Sequence, residues 1–524
     1  MSASHDLTER LEQDGEFAVD ENQIEQAASQ PPPVNSNYLP LPWKGRLGYA
    51  CLNTYLRNAN PPVFCSRTCR IASILENRHP LRDTSQARHP TKNRPDRTKP
   101  PDIARGQEFV QELGLANTRD LVTLIRWNAR FGIRFMRISS EMFPFASHAE
   151  YGYKLAPFAS EALAEVGKVA AELNHRLTVH PGQFTQLGSP RKEVISNSIR
   201  DLAYHAEMLN LLKLPPQMDR DAVIILHMGG TFGDKESTLG RFREAYADLP
   251  QDIRDRLVLE NDDMSWTVHD LLPVCEELNI PFVLDYHHHN IHFDPDRIRE
   301  GTLDIMSLYD RIRSTWVRKG KTQKMHYSEP VPEAITKVQR RKHSPRVSTL
   351  PPCDLTMDLM IEAKDKEQAV FELMKIYKLP GFDKINSIIP HHREDERKVS
   401  KKTQVLTDTS DTSWLDPEEM NMGGPYGRVY WPPGMEEWLR PQKRRLIPKV
   451  AGKTAKPQLR EAKKKQREPS PEEESEDDLA LDTSSGREQS AKRQKFTAKN
   501  KVQDAQSAER VHGRRRSARK SARP

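Results

Sequence analysis

From residue 47 to about 380, short β-branched or aromatic runs alternate with longer stretches of helical periodicity. The runs are LGYAC (47–51), IRFMRIS (133–139), RLTVHP (176–181), AVIILHM (222–228), RLVLEN (256–261), PFVLDYH (281–287), QKMHYS (323–328) and LMIEAK (359–364). Between them, apolar residues recur three or four apart, as one face of a helix requires. GQEFVQELG and RDLVTLIRWNARF follow the first run, PFASEALAEVGKVAAEL the second and SNSIRDLAYHAEMLNLL the third, with shorter equivalents later. Eight strands alternating with helices predict an α/β fold, a (β/α)8 TIM barrel over 41–395. A doubly wound open sheet is the alternative. No G-x-G-x-x-G or G-x-x-x-x-G-K-[ST] accompanies any run, which removes the usual nucleotide-binding reason for such a sheet.

Composition sharpens the boundaries. The chain has 524 residues, a net charge of +7 and only 36% apolar residues, against roughly 45–50% in an ordinary globular domain. The deficit sits at the ends. Residues 1–40 hold eight acids and one base, and 441–524 hold 24 Lys/Arg against 12 Asp/Glu. Both ends are expected to be disordered, with a partly ordered extension over 396–440. Residues 78–102, with seven Lys/Arg, three Asp and five Pro, read as a basic loop inserted into the barrel. No run approaches the ~18 apolar residues of a membrane span, and the acidic start argues against a secretory or Arg-rich mitochondrial leader. Five scattered cysteines indicate a reducing compartment. Cys65 and Cys69, four apart, are expected on one helix face rather than at a zinc site.

The candidate chemistry lies at the C-terminal ends of the runs, which a parallel barrel gathers at one mouth. These ends offer His148, His180, His227, Glu260, Asp285 with His288, His326 and Glu362, and the loop before the last run adds His343. A lone strand-end His is usually a satisfied polar residue, but seven consecutive ends call for a shared cause. Crowded carboxylates repel one another unless cations lie between them. Mixed imidazole and carboxylate suits Zn²⁺ or Mn²⁺, and so many ligands require at least two ions, with room for three. Lys324 faces the same side of its strand as His326. It must be deprotonated, turn away, be carboxylated into a bridging ligand, or sit as a snorkelling lysine at the strand entrance. Gln183 and Phe184 follow His180 at a loop tip, suited to filling a gap in stacked bases. Tyr49 and Asn53 are candidates to meet a flipped nucleotide, and Arg191 and Lys192 to hold phosphate. Glu260, Lys324 and His227 are expected to carry the catalysis.

LGYACLN, CRIASI, FMRISSEMFPFASH, HPGQF, LHMGG, LVLEND, LDYHHHN, KMHYSEP, RRKHSPR and MDLMIEAKDKEQAVFEL occur in order over about 47–380. Together they resemble the UV damage endonuclease family, most nearly its fungal members, whose fold and site are similar to those of endonuclease IV. The resemblance implies a nick immediately 5′ to UV photoproducts in double-stranded DNA, namely cyclobutane pyrimidine dimers and (6-4) photoproducts, with abasic sites also cut. It implies in-line attack by metal-activated hydroxide, with manganese as the usual ion and zinc or magnesium as alternatives. The family's ligands fall on His148, His180, His227, Glu260, Asp285, His288, His326, His343 and Glu362. Its modified lysine falls on Lys324, and its probing pair on Gln183 and Phe184. A monomer acting in the nucleus is expected, with a mitochondrial fraction as the alternative. A metal-dependent sugar isomerase barrel and a non-catalytic damage binder are the competing functions.

Overall fold

The computed structural model describes residues 21–28, 44–299, 303–388 apart from 353 and 355, then 419, 421–424 and 427–435. Its strands are β1 (Leu47–Ala50), β2 (Phe135–Ile138), β3 (Arg176–Val179), β4 (Ile224–His227), β5 (Leu257–Glu260), β6 (Phe282–Val283), β7 (Lys324–Tyr327) and β8 (Asp358–Ile361). Every predicted run overlaps one. They form a single sheet of order β6-β5-β4-β3-β2-β1-β8-β7, and each pairing is parallel. The His326 amide donates to the Leu284 carbonyl at 3.0 Å, and an Asp285–His326 bridge brings β6 against β7. The chain is a TIM barrel.

The helices that cover it include α1 (Ile103–Arg130), α2 (Ala156–Glu172), α3 (Lys192–Leu211), α4 (Lys235–Ala247), α5 (Val268–Glu277), α6 (Tyr286–His289), α7 (Tyr309–Arg318), α8 (Lys337–Arg340) and α9 (Glu367–Ile376). The two periodic stretches after β1 merge into the single helix α1. Gly114 lets this helix lie close against Phe143, because a Cβ there would run into the Phe143 ring. Among the described residues, no helix is long and apolar enough to cross a membrane.

Strand parity divides the core. Successive side chains on a strand point to opposite faces. Both faces of a parallel sheet are covered, so the runs read as continuously apolar rather than alternating with polar positions. Ile225, Val258 and Val283 cluster with Trp316 on one face, while their neighbours Ile224, Leu226, Leu257 and Phe282 join the larger cluster shared with the helices. Phe135 and Met360 make a further inward group with Ala50. Beneath them Arg176 donates to Asp358 at 2.9 Å, and the Arg46 guanidinium reaches the same carboxylate at 3.0 Å.

Two expectations change. Glu21–Ala28, within the segment expected to be disordered, is a short α-helix; the rest of 1–40 and all of 441–524 lie outside the described residues. Cys65 and Cys69 do not share a helix: 64–70 is irregular, and the Cys65 thiol donates to the Cys51 carbonyl at 3.2 Å. The basic loop 78–102 carries its own order, since the Asn93 amide donates to the carbonyls of Asp83 (2.9 Å) and Gln86 (3.0 Å). In the extension, Val429, Tyr430 and Trp431 are buried. There the Gln368 amide donates to the Val429 carbonyl at 2.8 Å and accepts from the Trp431 amide at 3.1 Å.

Candidate metal centre

The inward parity continues past the strand ends. Counting in twos from Ile225, Val258, Val283, Met360 and Phe135 reaches His227, Glu260, Asp285, Glu362 and Arg137. His180 and His326 complete the layer. Register supports it, with His227 beside Glu260 on neighbouring strands. The buried Glu260 sits in the middle. Its Oε2 lies 3.1 Å from His180 Nε2 and 3.7 Å from His227 Nε2, and its Oε1 lies 2.7 Å from His326 Nδ1 and 3.7 Å from His288 Nδ1. Glu362 Oε1 is 3.3 Å from His326 Nδ1 and is bonded by the Arg137 guanidinium.

Three overlapping groups result: His180, His227 and Glu260; Glu260, Asp285 and His288; and Asp285, His326 and Glu362. Within each, the ligand atoms lie within 4.8 Å of one another. The donor set fits divalent ions. Asp285 spends Oδ1 on the amide of His288 at 2.9 Å, which caps α6. Its Oδ2 is buried without a hydrogen-bond partner among the described residues, although buried carboxylate oxygens are ordinarily satisfied. A cation held by these groups would supply the missing interaction.

Electrostatics describe the same pocket. Burial pushes the Asp285 carboxyl up to about 7; His288 pulls the other way, and Glu260 and Glu362 add to the rise. Burial disfavours the His288 cation, yet Asp285 and Glu260 raise it to about 10. Burial also disfavours the Glu260 anion, but the imidazoles of His326, His227 and His180 hold its carboxyl well below the usual range. Lys324 is fully buried, not snorkelling, and touches His326 Nε2. Burial brings its amine down to about 7 against the attraction of Glu260.

Seven of the predicted ligands meet in these groups. His343 stands beside them: its Nδ1 donates to the Glu362 carbonyl at 2.6 Å, and its ring is 6.4 Å from that of His288. His148 does not join. It is exposed, and its Nδ1 accepts the amides of Glu150 (3.0 Å) and Tyr151 (3.2 Å), closing a local turn. Strand β2 instead contributes Arg137, which sequence reasoning missed. The available signal was a cation inside an otherwise apolar four-residue strand.

Tyr49 and Asn53 are corrected. Both are fully buried. Tyr49 has outward parity, between Gly48 and Ala50, and its hydroxyl donates to Asn128 Oδ1 at 2.6 Å while accepting from Asn53 Nδ2 at 3.0 Å. Asn53 also caps the helix Thr54–Arg57. Neither is open to a nucleotide. Gln183 is exposed and Phe184 is 81% exposed. Arg191 and Lys192 are exposed at the start of α3.

The UV-endonuclease UvdE family model matches residues 45–394. A UV-damage endonuclease of Neurospora crassa is 62% identical over 454 residues, 80% of this chain and 69% of its own length. One of Schizosaccharomyces pombe is 56% identical over 341 residues, 65% of this chain. The aligned stretch spans only 52%, about half, of that relative's length. Among solved structures, SacUVDE is 27% identical with a TM-score of 0.49, covering 64% of this chain and 97% of its own. Endonuclease IV from Thermus thermophilus is 14% identical with a TM-score of 0.35, covering 49% of this chain and 93% of its own. With the family's match running through every strand of the barrel, the chain belongs to the UV-endonuclease UvdE family.

Proposed function

We propose that the protein is a metal-dependent DNA-repair endonuclease that nicks the phosphodiester immediately 5′ to cyclobutane pyrimidine dimers and (6-4) photoproducts, and also cuts abasic sites. The carrying observation is the cluster of three buried carboxylates and four imidazoles in three overlapping groups, with Asp285 Oδ2 making no hydrogen bond among the described residues. His180, His227, Glu260, Asp285, His288, His326 and Glu362 would hold two or three divalent ions, manganese foremost. Such ions supply activated water and neutralise charge on the phosphate and the departing oxygen.

The chain's own groups have separable tasks. Glu260 offers one oxygen to the His180–His227 side and the other to the His288–His326 side. Arg137 holds Glu362. Lys324, buried and with its amine readily neutral, is the candidate for carboxylation. Gln183 and Phe184 reach out to fill the gap left by an extruded lesion. A photoproduct already weakens stacking, so extrusion costs less there than at intact bases. Arg191, Lys192 and the basic loop 78–102 meet phosphates, which makes binding salt-dependent. The basic clusters after 441 suit nuclear import or further DNA contact.

The test uses irradiated and intact end-labelled duplex with Mn²⁺, with and without EDTA. Chelator-sensitive cleavage immediately 5′ to the photoproduct is the expected result. Binding without a cut would mark a damage binder. Replacing Glu260 with Gln should abolish nicking while sparing lesion binding; a variant that still nicks would remove Glu260 from the reaction.

A further inference from the structure

We propose that Met264 and Val338 form a second apolar lip on the barrel mouth, which wedges against the damaged duplex in addition to Gln183 and Phe184. This rests on the mouth being a DNA site. Met264 lies in the loop after β5 and Val338 in the segment after β7, so both stand at the end of the barrel that carries the metal centre. They are 57% and 63% exposed.

Neither is on a slack loop. Asp262 Oδ1 accepts the amides of Met264 (2.9 Å), Ser265 (2.6 Å) and Trp266 (2.9 Å), and the Asp262 amide donates to the Trp266 carbonyl at 3.0 Å. Trp266 is buried, and its indole donates to the Gly229 carbonyl at 2.6 Å. The turn is therefore closed and pinned, with Met264 at its tip. Val338 sits in α8, whose start carries a reciprocal capping box between Thr336 and the buried Gln339. Arg341 donates to Asp263 at 2.5 Å and ties the two loops together.

Two apolar tips held rigidly in water suit insertion, because a preorganised contact loses little entropy on binding. The Val338 side favours a polyanion. Residues 329–343 carry four Lys/Arg against two Glu, and Glu329 is occupied by the hydroxyls of Ser348 and Thr349. Arg341 neutralises Asp263, and Lys337 is exposed beside Val338. An apolar side chain among basic residues, as Val338 is, is what DNA-kinking proteins place between base steps.

The test compares full-length wild type with Met264→Ser, Val338→Ser and the double variant. Substrates are a duplex with one thymine dimer, with 2-aminopurine opposite the lesion, and the same damaged strand alone. Mn²⁺ binding and unfolding temperature should match wild type, since both side chains are exposed and outside the metal groups. Nicking of the duplex should fall roughly tenfold in the double variant, with nicking of the single strand unchanged. In EDTA, the 2-aminopurine fluorescence rise on binding should shrink, a readout independent of cleavage. Duplex nicking and fluorescence within twofold of wild type would overturn the lip and leave the surface to a protein partner. Equal loss on both substrates would overturn it too. A wild type that never cuts, with its fluorescence rise lost in the double variant, would refute the nuclease and keep the lip.

Discussion

Replacing Arg137 with Ala should destabilise the metal-free protein severely, and the structure sets the size. The Arg137 and Glu362 side chains are 11% and 6% exposed, so solvent screens little of their interaction. Burial disfavours the Glu362 anion, and the guanidinium is the first group that offsets it, holding the carboxyl well below the usual range. Removing one partner of a buried pair leaves an uncompensated charge and costs about 3–5 kcal/mol. Glu260 beside it adds repulsion, while His326 and His343 remain to offset part of the loss. Urea unfolding of the full chain in EDTA reads the loss. In the Glu362→Gln background the same replacement should cost far less, giving an interaction energy above about 2 kcal/mol. Added Mn²⁺ should narrow the gap, since binding to the folded state at a hundred times Kd contributes about 2.7 kcal/mol. A loss below about 1 kcal/mol, or an equal loss in both backgrounds, would refute the reasoning.

Two further outcomes follow from residues away from the metal centre. Burial holds the His175 imidazole down to about 3, where its Nε2 accepts from Asn128 Nδ2 at 3.3 Å. Its folded value lies below the unfolded value of about 6.5, so its contribution is fully present above that pH and is lost as pH falls toward 3; His175→Gln should flatten melting temperature against pH in that window, and an unchanged slope would exclude His175 as the cause. A Cβ at Gly167 in α2 would collide with the Leu212 carbonyl after α3, so Gly167→Ala should cost at least the 1–3 kcal/mol or so of ordinary overpacking in urea unfolding, and no change would mean the helices part freely.

The strands were legible because their apolar runs are bounded by turns and end in chemistry. What lies inward was legible only where parity was counted: Lys324 and His326, two apart, do share the inner face. The same count, begun at Ala50, would have placed Tyr49 outward, where its ring fills the layer between strand and helix. Arg137 went unremarked within its strand, although inward parity places it with the acids. His148 shows the opposite limit. Its position depends on a turn in which Phe145 adopts φ 63°, and such loop geometry is not written in hydrophobic periodicity. The burial of Trp431 was likewise hidden, because its partners Gln368 and Tyr55 are remote in sequence and the ring meets that of Tyr55 at 5.7 Å.

Anomalous diffraction at the manganese edge, from crystals of the full chain grown with Mn²⁺, tests the central claim most directly. The account predicts two or three peaks enclosed by His180, His227, Glu260, Asp285, His288, His326 and Glu362. An active protein whose crystals show no peak among these residues would contradict it.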